Sequence, residues 1–427
     1  MPKHASRRRA EAIANRRVME YLLKRGADLG FTNFFWKNCE PNEYEIKRFS
    51  RYAKVLLLAS EGATRRATAL EAGVGEWSVE SWARFRHRPK LAHYLKSFLE
   101  LGRPKKGWVW LSINNTPGHA VPLDPFIQVP RVIGDWKDVQ FVLGQLQPIG
   151  TPREEASSPY GFGFLLGVMI GDAAKKRQAE WHRHLELVLS KRYDTSVMIG
   201  DFTSECARGI GVRMERVSDR APYGNKPRGF YVWRSQSTAL VDWLYNVCLG
   251  LTDDELTTYD SVRMDWALRA PKGFRRGLVQ GLAESDGSVS IASQTVEFWI
   301  GPNWDFVKRL LLTFGVSSFR NREALSVARR QVVNLYTIPA FSPLLRTARY
   351  ERFVKLANAA HIQRGKRIPV EIRERISEAR RGGLSIPKIS ERILDEFGII
   401  LTFEAVQRWS SRVRTEPERG ASESLQA

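Results

Sequence analysis

Cysteine is scarce: Cys39, Cys206 and Cys248 are the three in 427 residues. That is too few, and too scattered, for a disulfide framework or a zinc knuckle. Long apolar runs are absent as well. Nothing approaches the roughly 18 uninterrupted apolar residues of a membrane span. The basic start Met1-Pro-Lys-His-Ala-Ser-Arg-Arg-Arg is not followed by the apolar segment of a secretory signal. The chain therefore reads as intracellular and cytoplasmic, with no membrane partner. Negative charge is the third shortage, with 46 Asp and Glu against 67 Lys and Arg, a net charge of +21. Such an excess calls for a polyanion, nucleic acid first and an anionic membrane surface second.

What is present points to packed cores. Hydrophobic residues make up 43% of the chain, with 21 Phe and 13 Trp, and the length allows about two to four domains. Residues 1–42 read as a basic helical leader whose Ser-Arg-Arg-Arg run either grips phosphates or is a solvated end. Over 43–105 three short helices are expected, Glu43–Ser60, Thr64–Ala72 and Glu76–Phe85, with Gly73-Val74-Gly75 as the tight turn. Helix, short turn, helix and basic exit is the helix-turn-helix layout. It would place Ser81 and Arg84 on base edges and Arg86 and Arg88 on phosphates; a plain three-helix packing unit fits the same pattern. Residues 106–154 read as a hairpin within Gly107–Val129, an amphipathic helix over Asp135–Leu146 and a polar linker. Residues 346–414 repeat the three-helix plan. A helix from Pro369 to about Arg381 is followed by Ser385–Glu396 and by Thr402–Arg412, with Ser385 and Thr402 as N-caps. The last helix turns Phe403, Val406 and Trp409 inward and Gln407, Arg408 and Arg412 outward. Residues 415–427 are expected to be a polar, disordered tail.

The most informative feature lies between these flanks and occurs twice. Gly163-Phe-Leu-Leu-Gly-Val-Met-Ile-Gly-Asp172 and Gly277-Leu-Val-Gln-Gly-Leu-Ala-Glu-Ser-Asp286 align through a single offset. It matches Gly163 with Gly277, Gly167 with Gly281, and Asp172 with Asp286. Glycine in a helix costs about 1 kcal/mol relative to alanine. Spaced by four, these glycines form a bare stripe on which a second helix can cross with its backbone close. The two helices would then cross around a pseudo-twofold axis, and Asp172 and Asp286 would emerge side by side. Two carboxylates at negative helix ends repel each other unless a cation sits between them. A divalent metal with oxygen ligands meets that need. One Asp alone would be read as merely opening a turn.

The segments after the two helices repeat as well. Strands are expected at Glu186–Leu189, Val212–Val217 and Phe230–Trp233, with a helix around Thr203–Ala207. In the second half they fall at Ser288–Ala292, Val296–Ile300 and Ala324–Ala328, with a helix at Trp304–Phe314. Arg234 and Arg329 take equivalent places where strand passes into helix.

In these residues the chain resembles the LAGLIDADG homing endonucleases in their single-chain, two-motif form. Leu165–Ala173 and Val279–Gly287 occupy the nine motif positions, and the resemblance covers about 155–345. Ala173 stands for the motif's final Gly, Ile170 for its first acid and Gln280 for a small residue. The resemblance implies an α+β fold: two αββαββα halves with antiparallel β-saddles, flanked by small all-α helix-turn-helix domains. It implies that Asp172 and Asp286 bind Mg²⁺ (or Mn²⁺) and position water for phosphodiester cleavage, with Arg234 and Arg329 supporting the scissile phosphate. Double-stranded DNA is the implied partner and a monomer the implied state. On the saddles, His182, His184, Lys191, Arg213, Arg216 and Arg320 would meet DNA. His182 and His184 share a strand face, but no third ligand makes them a zinc site. Two other readings stay open: a DNA-binding regulator on the same scaffold that no longer cuts, and an intron maturase gripping RNA.

Overall fold

The structure is a computed structural model. It describes residues 43–84, 104–112, 126–179, 182–193, 195–217, 219–221, 229–236, 239–251, 260–337, 340–361 and 368–412, with scattered positions between 9 and 20. The chain forms two compact units. One comprises 1–146, 176–184 and 236–248; the other comprises 147–175, 185–235 and 249–427.

In the first unit α1 (Glu43–Ser60), α2 (Arg65–Ala72) and α3 (Glu76–Ala83) pack on one another. Tyr52, Val55, Ala59, Val79 and Trp82 form their interior. Thr64 caps α2 by accepting from the Ala67 N–H at 3.2 Å. Gly73 ends it in the left-handed region at φ 62°, where only glycine is free of steric cost. The expected hairpin is present as antiparallel β1 (Trp108–Ser112) and β2 (Phe126–Pro130), pairing Trp108 with Pro130. A reciprocal capping box between Asp135 and Asp138 then starts α4 (Trp136–Leu143).

Most of the repeat belongs to the second unit, while its residues 176–184 and 236–248 belong to the first. The first half runs α5 (Pro159–Gly171), β3 (Ala173–Ala179), β4 (His182–Ser190), α6 (Ser196–Gly209), β5 (Met214–Arg216) and β6 (Phe230–Ser235), followed in sequence by α7 (Ala239–Asp242). The second half runs α8 (Lys272–Asp286), β7 (Gly287–Ser290), β8 (Thr295–Phe298), α9 (Trp304–Leu312), β9 (Phe319–Asn321), β10 (Ala324–Ala328) and α10 (Arg329–Thr337). The sheets are ordered β3-β4-β6-β5 and β7-β8-β10-β9, the same permutation in each half. Two strands, β3 and β9, go beyond those expected. Ala-Ala-Lys-Lys-Arg-Gln-Ala has no β-branched or aromatic residue to announce β3, and all of β9 is exposed.

After the repeat come α11 (Ala348–Asn358) and β11 (Ala360–His361). Then α12 (Val370–Arg381), α13 (Ile386–Phe397), β12 (Ile399–Ile400) and α14 (Phe403–Arg412) follow. The last three helices close around Ile372, Ile376, Ile389, Ile393 and Val406. Thr402 caps α14 through the Ala405 N–H. Ser385 sits at the N-cap of α13 without a side-chain cap bond, and Phe403 is 39% exposed rather than inward. The bundle is fixed to the rest of its unit by the parallel β11–β12 pairing and by Gln294, which donates to the Leu401 carbonyl at 3.2 Å. Among the described residues no helix is long and apolar enough to cross a membrane.

Candidate active site at the crossing helix ends

Helix α5 is buried from Tyr160 to Gly171. Its main partner is α8, and the four aligned glycines make the crossing. A Cβ on Gly163 would stand 2.1 Å from the Phe274 carbonyl oxygen, and one on Gly277 would stand 2.0 Å from that of Tyr160. One on Gly167 would meet the Leu278 oxygen at 2.4 Å, and one on Gly281 the Phe164 oxygen at 2.2 Å. The contacts are reciprocal, each glycine facing the other helix's backbone.

This crossing delivers the acids. Helix α5 stops at Gly171, and Asp172 caps it with its N–H on the Val168 oxygen at 2.9 Å. Asp286 is the last residue of α8. A Cβ on Gly171 would lie 3.0 Å from Asp286 Oδ2 and 2.0 Å from Ser285 Oγ. Glycine at 171 therefore lets the Asp286 carboxylate lean onto the other helix end, beside Asp172. Burial, then the charge of Asp172, pushes the Asp286 carboxyl up to about 7, against the opposing pull of Arg349. Ala173 is fully buried and is not among the residues with left-handed φ. Alanine at the motif's last position thus brings no backbone strain.

Among the described residues no group of three or more His, Cys, Asp or Glu is arranged to hold a metal ion. The acid pair is a two-carboxylate site. That donor set suits Mg²⁺ or Mn²⁺, since Mg²⁺ is commonly held by one or two carboxylates with water and substrate phosphate completing its octahedron. The mutual repulsion of the pair is what a dication would relieve.

Around the acids lies a buried polar network that sequence reasoning missed. Glu284, 1% exposed, accepts from the Ser342 N–H at 2.9 Å and from Thr347 Oγ1 at 3.1 Å. Burial pushes its carboxyl up to about 7, opposed by the Ser342 hydrogen bond, Arg349 and Thr347. Tyr160 donates to Gln280 Oε1 at 2.5 Å and shares a 3.1 Å hydrogen bond with Ser342 Oγ. The Gln280 amide oxygen is thereby paired at a fully buried position. Arg349 donates to the Glu284 carbonyl. The partners of Glu284 lie far along the chain, and no local pattern announces them.

The other expected site residues have diverse surroundings. Arg234 and Arg220 donate to the two oxygens of Glu186, at 2.9 and 2.7 Å, and Glu186 is 2% exposed. Burial raises the Glu186 carboxyl, but the two guanidiniums outweigh it and hold it below its usual range. Arg329 donates to the Ala359 carbonyl. Neither of these arginine hydrogen bonds reaches an acid of the pair. Beside the first sheet Lys191, just past β4, and Arg216 of β5 share Asp219, at 2.8 and 3.2 Å, and Arg213 pairs with Glu215 at 2.8 Å. Arg320 stacks 5.0 Å from the Trp304 ring. Two expectations are corrected. His184 is 4% exposed, and Ser81, 5% exposed, faces the three-helix interior, so neither side chain reaches a groove. Arg84 pairs with Glu80 at 2.5 Å. Gln407 and Arg408 are exposed on α14. Arg86 and Arg88, and the side chains of His182 and Arg412, lie outside the described residues.

No protein-family model matches the sequence, and no curated protein matches it. Solved structures do match. I-DmoI in complex with DNA and Ca aligns at 15% identity over 45% of this chain and 97% of its own, with a TM-score of 0.32. I-DmoI in complex with DNA and Mn aligns at 16% over 42% and 97%, with a TM-score of 0.30. The homing endonuclease I-WcaI bound to its DNA recognition sequence aligns at 13% over 50% and 93%, with a TM-score of 0.31.

Proposed function

We propose that this chain is a site-specific endonuclease for double-stranded DNA, dependent on Mg²⁺ or Mn²⁺ and built on a pseudo-twofold LAGLIDADG core. The observation that carries the reading is the pair of half-buried carboxylates brought together by the glycine-lined crossing. Asp172 and Asp286 would hold the divalent cation. When bound, it supplies charge for the phosphodiester and lowers the pKa of water. The residues of the chain do the rest. The crossing fixes the two carboxylates against each other, and binding requires Asp286 to give up its proton.

The two sheets would form the DNA-facing saddles. Arg216 and Arg320 on the strands, with Lys191 and Arg213 beside them, meet backbone phosphates, with Arg234 and Arg329 as supporting cations. The partners of Lys191, Arg213 and Arg216 are no obstacle, because exposed ion pairs are worth about 0–1 kcal/mol and a phosphate can replace a carboxylate. The flanking three-helix units add contacts outside the core. In the full chain, Arg408→Ala is expected to lower the slope of log affinity against log salt by roughly 0.9, one phosphate contact. An unchanged slope in that binding series would remove α14 from the interface.

The reading is tested with purified protein and plasmid carrying the chain's own genomic locus. Linear product with Mg²⁺ and none with EDTA is expected. Binding without cutting in either condition would favour the non-cleaving regulator instead.

A further inference from the structure

The acid pair has a cation beside it that comes from outside the repeat. Arg349 is the second residue of α11, whose N-terminus is fixed by Thr347: its Oγ1 accepts from the Tyr350 N–H at 3.2 Å while donating to the buried Glu284 carboxylate. Farther along, α11 is tied to α13 by the Arg352–Glu391 pair and by Lys355 Nζ on Asp395 Oδ1 at 2.5 Å. A helix held at both ends presents Arg349 from a fixed base.

The guanidinium is placed by both halves of the repeat. Nη1 donates to the carbonyls of Glu284 and Ser285, the latter at 3.4 Å. These are the last-turn carbonyls immediately before Asp286. A cation at a helix C-terminus answers both the unpaired carbonyls and the dipole. From the other half, the Tyr193 ring lies 5.8 Å from the guanidinium carbon, and Tyr193 is 49% exposed. Arg349 itself is half-buried. Among the described residues its Nε and Nη2 have no hydrogen-bond partner. A guanidinium has five donors in a planar fork suited to phosphate, so most of that capacity is uncommitted while its position is fixed.

We propose that Arg349 is the phosphate-binding cation beside the acid pair: Nη1 is anchored on the last turn of α8, and the remaining edge would donate to an oxygen of the DNA phosphate at the divalent ion that Asp172 and Asp286 would hold. The hydrogen bonds of Arg234 and Arg329 go to Glu186 and to the Ala359 carbonyl, whereas those of Arg349 go to the two residues immediately before Asp286; Arg349 has no counterpart in the first motif. The proposal rests on the endonuclease reading above. A role confined to capping α8 is the competing account.

Full-length Arg349→Gln and Arg349→Lys separate the two. Glutamine keeps a donor for the α8 carbonyls and loses the charge; lysine keeps the charge and loses the fork. Affinity for a labelled random-sequence duplex is measured in EDTA across a salt series, and single-turnover cleavage on the plasmid carrying the chain's own locus. For Arg349→Gln the salt slope is expected to fall by roughly 0.9 and the cleavage rate by on the order of a hundredfold. Arg349→Lys is expected to restore the slope with only partial recovery of rate. Wild-type slope and wild-type rate in Arg349→Gln, whatever its melting temperature, would overturn the proposal. Wild-type protein that neither binds nor cuts would instead overturn the endonuclease reading, and this inference with it.

Discussion

Asp286→Asn protein is expected to bind DNA about as well as wild type, to cut it at least on the order of a hundredfold more slowly, and to melt higher than wild type above pH 7. Asp172→Asn should share the loss of cutting. The cleavage loss follows from halving a two-carboxylate site. The stability gain follows from linkage. In the folded protein burial and the charge of Asp172 push the Asp286 carboxyl from 3.8 up to about 7. Between those values the unfolded chain has released its proton and the folded chain has kept it, so metal-free stability falls as pH rises across that window. Asparagine removes the Asp286 share of that fall, while Glu284 keeps its own. The gain above pH 7 is of the order of a few kcal/mol at most, read as a melting temperature that declines less with pH than that of the wild type. Near pH 4 the two proteins should melt nearly together. Wild-type cutting by Asp286→Asn would remove the acids from the chemistry.

Gly277→Ala is expected to destabilise the core by ~1–3 kcal/mol or more, an overpacking cost, even though alanine is the better helix former. The added methyl would sit 2.0 Å from the Tyr160 carbonyl and 2.9 Å from the Phe164 nitrogen, both backbone atoms. It can be admitted only by moving the two helices apart, which also separates Asp172 from Asp286. Gly281→Ala should behave alike, with the Phe164 oxygen at 2.2 Å. The same helix supplies its control. A methyl added at Gly273 would have nothing within 4 Å, so Gly273→Ala should be neutral or stabilising by up to about 1 kcal/mol. Thermal melting of the three variants decides the matter. Equal melting of Gly277→Ala and Gly273→Ala would mean the helices do not cross where the glycines fall.

The crossing was legible because it is written in a local pattern: glycines at a four-residue spacing, repeated, each run ending in an acid. The strand Ala324–Ala328 and the helices from Glu43 and Pro369 were legible for the same reason, since period and caps are local signals. What escaped the sequence depends on long-range partners. Glu186 lies in the alternating run His-Leu-Glu-Leu-Val-Leu, where period two puts it on the polar face. It is nevertheless buried, as Arg220 and Arg234 close over it from elsewhere in the chain. Ser81 read as groove-facing, but the packing of three short helices turns it inward. Arg349 and the partners of Glu284 lie more than fifty positions from α8's acidic end, and nothing near them in sequence connects them to it.

In the proposed endonuclease, the two helix-end carboxylates together hold the divalent ion used in cutting DNA. Crystals of the wild-type protein grown with duplex from its own locus and Mn²⁺ test this most directly, through the anomalous scattering of manganese. A peak between Asp172 and Asp286, lost in Asp286→Asn crystals, is the predicted result. Manganese bound elsewhere on the protein, with DNA in place and no peak between these two carboxylates, would contradict it.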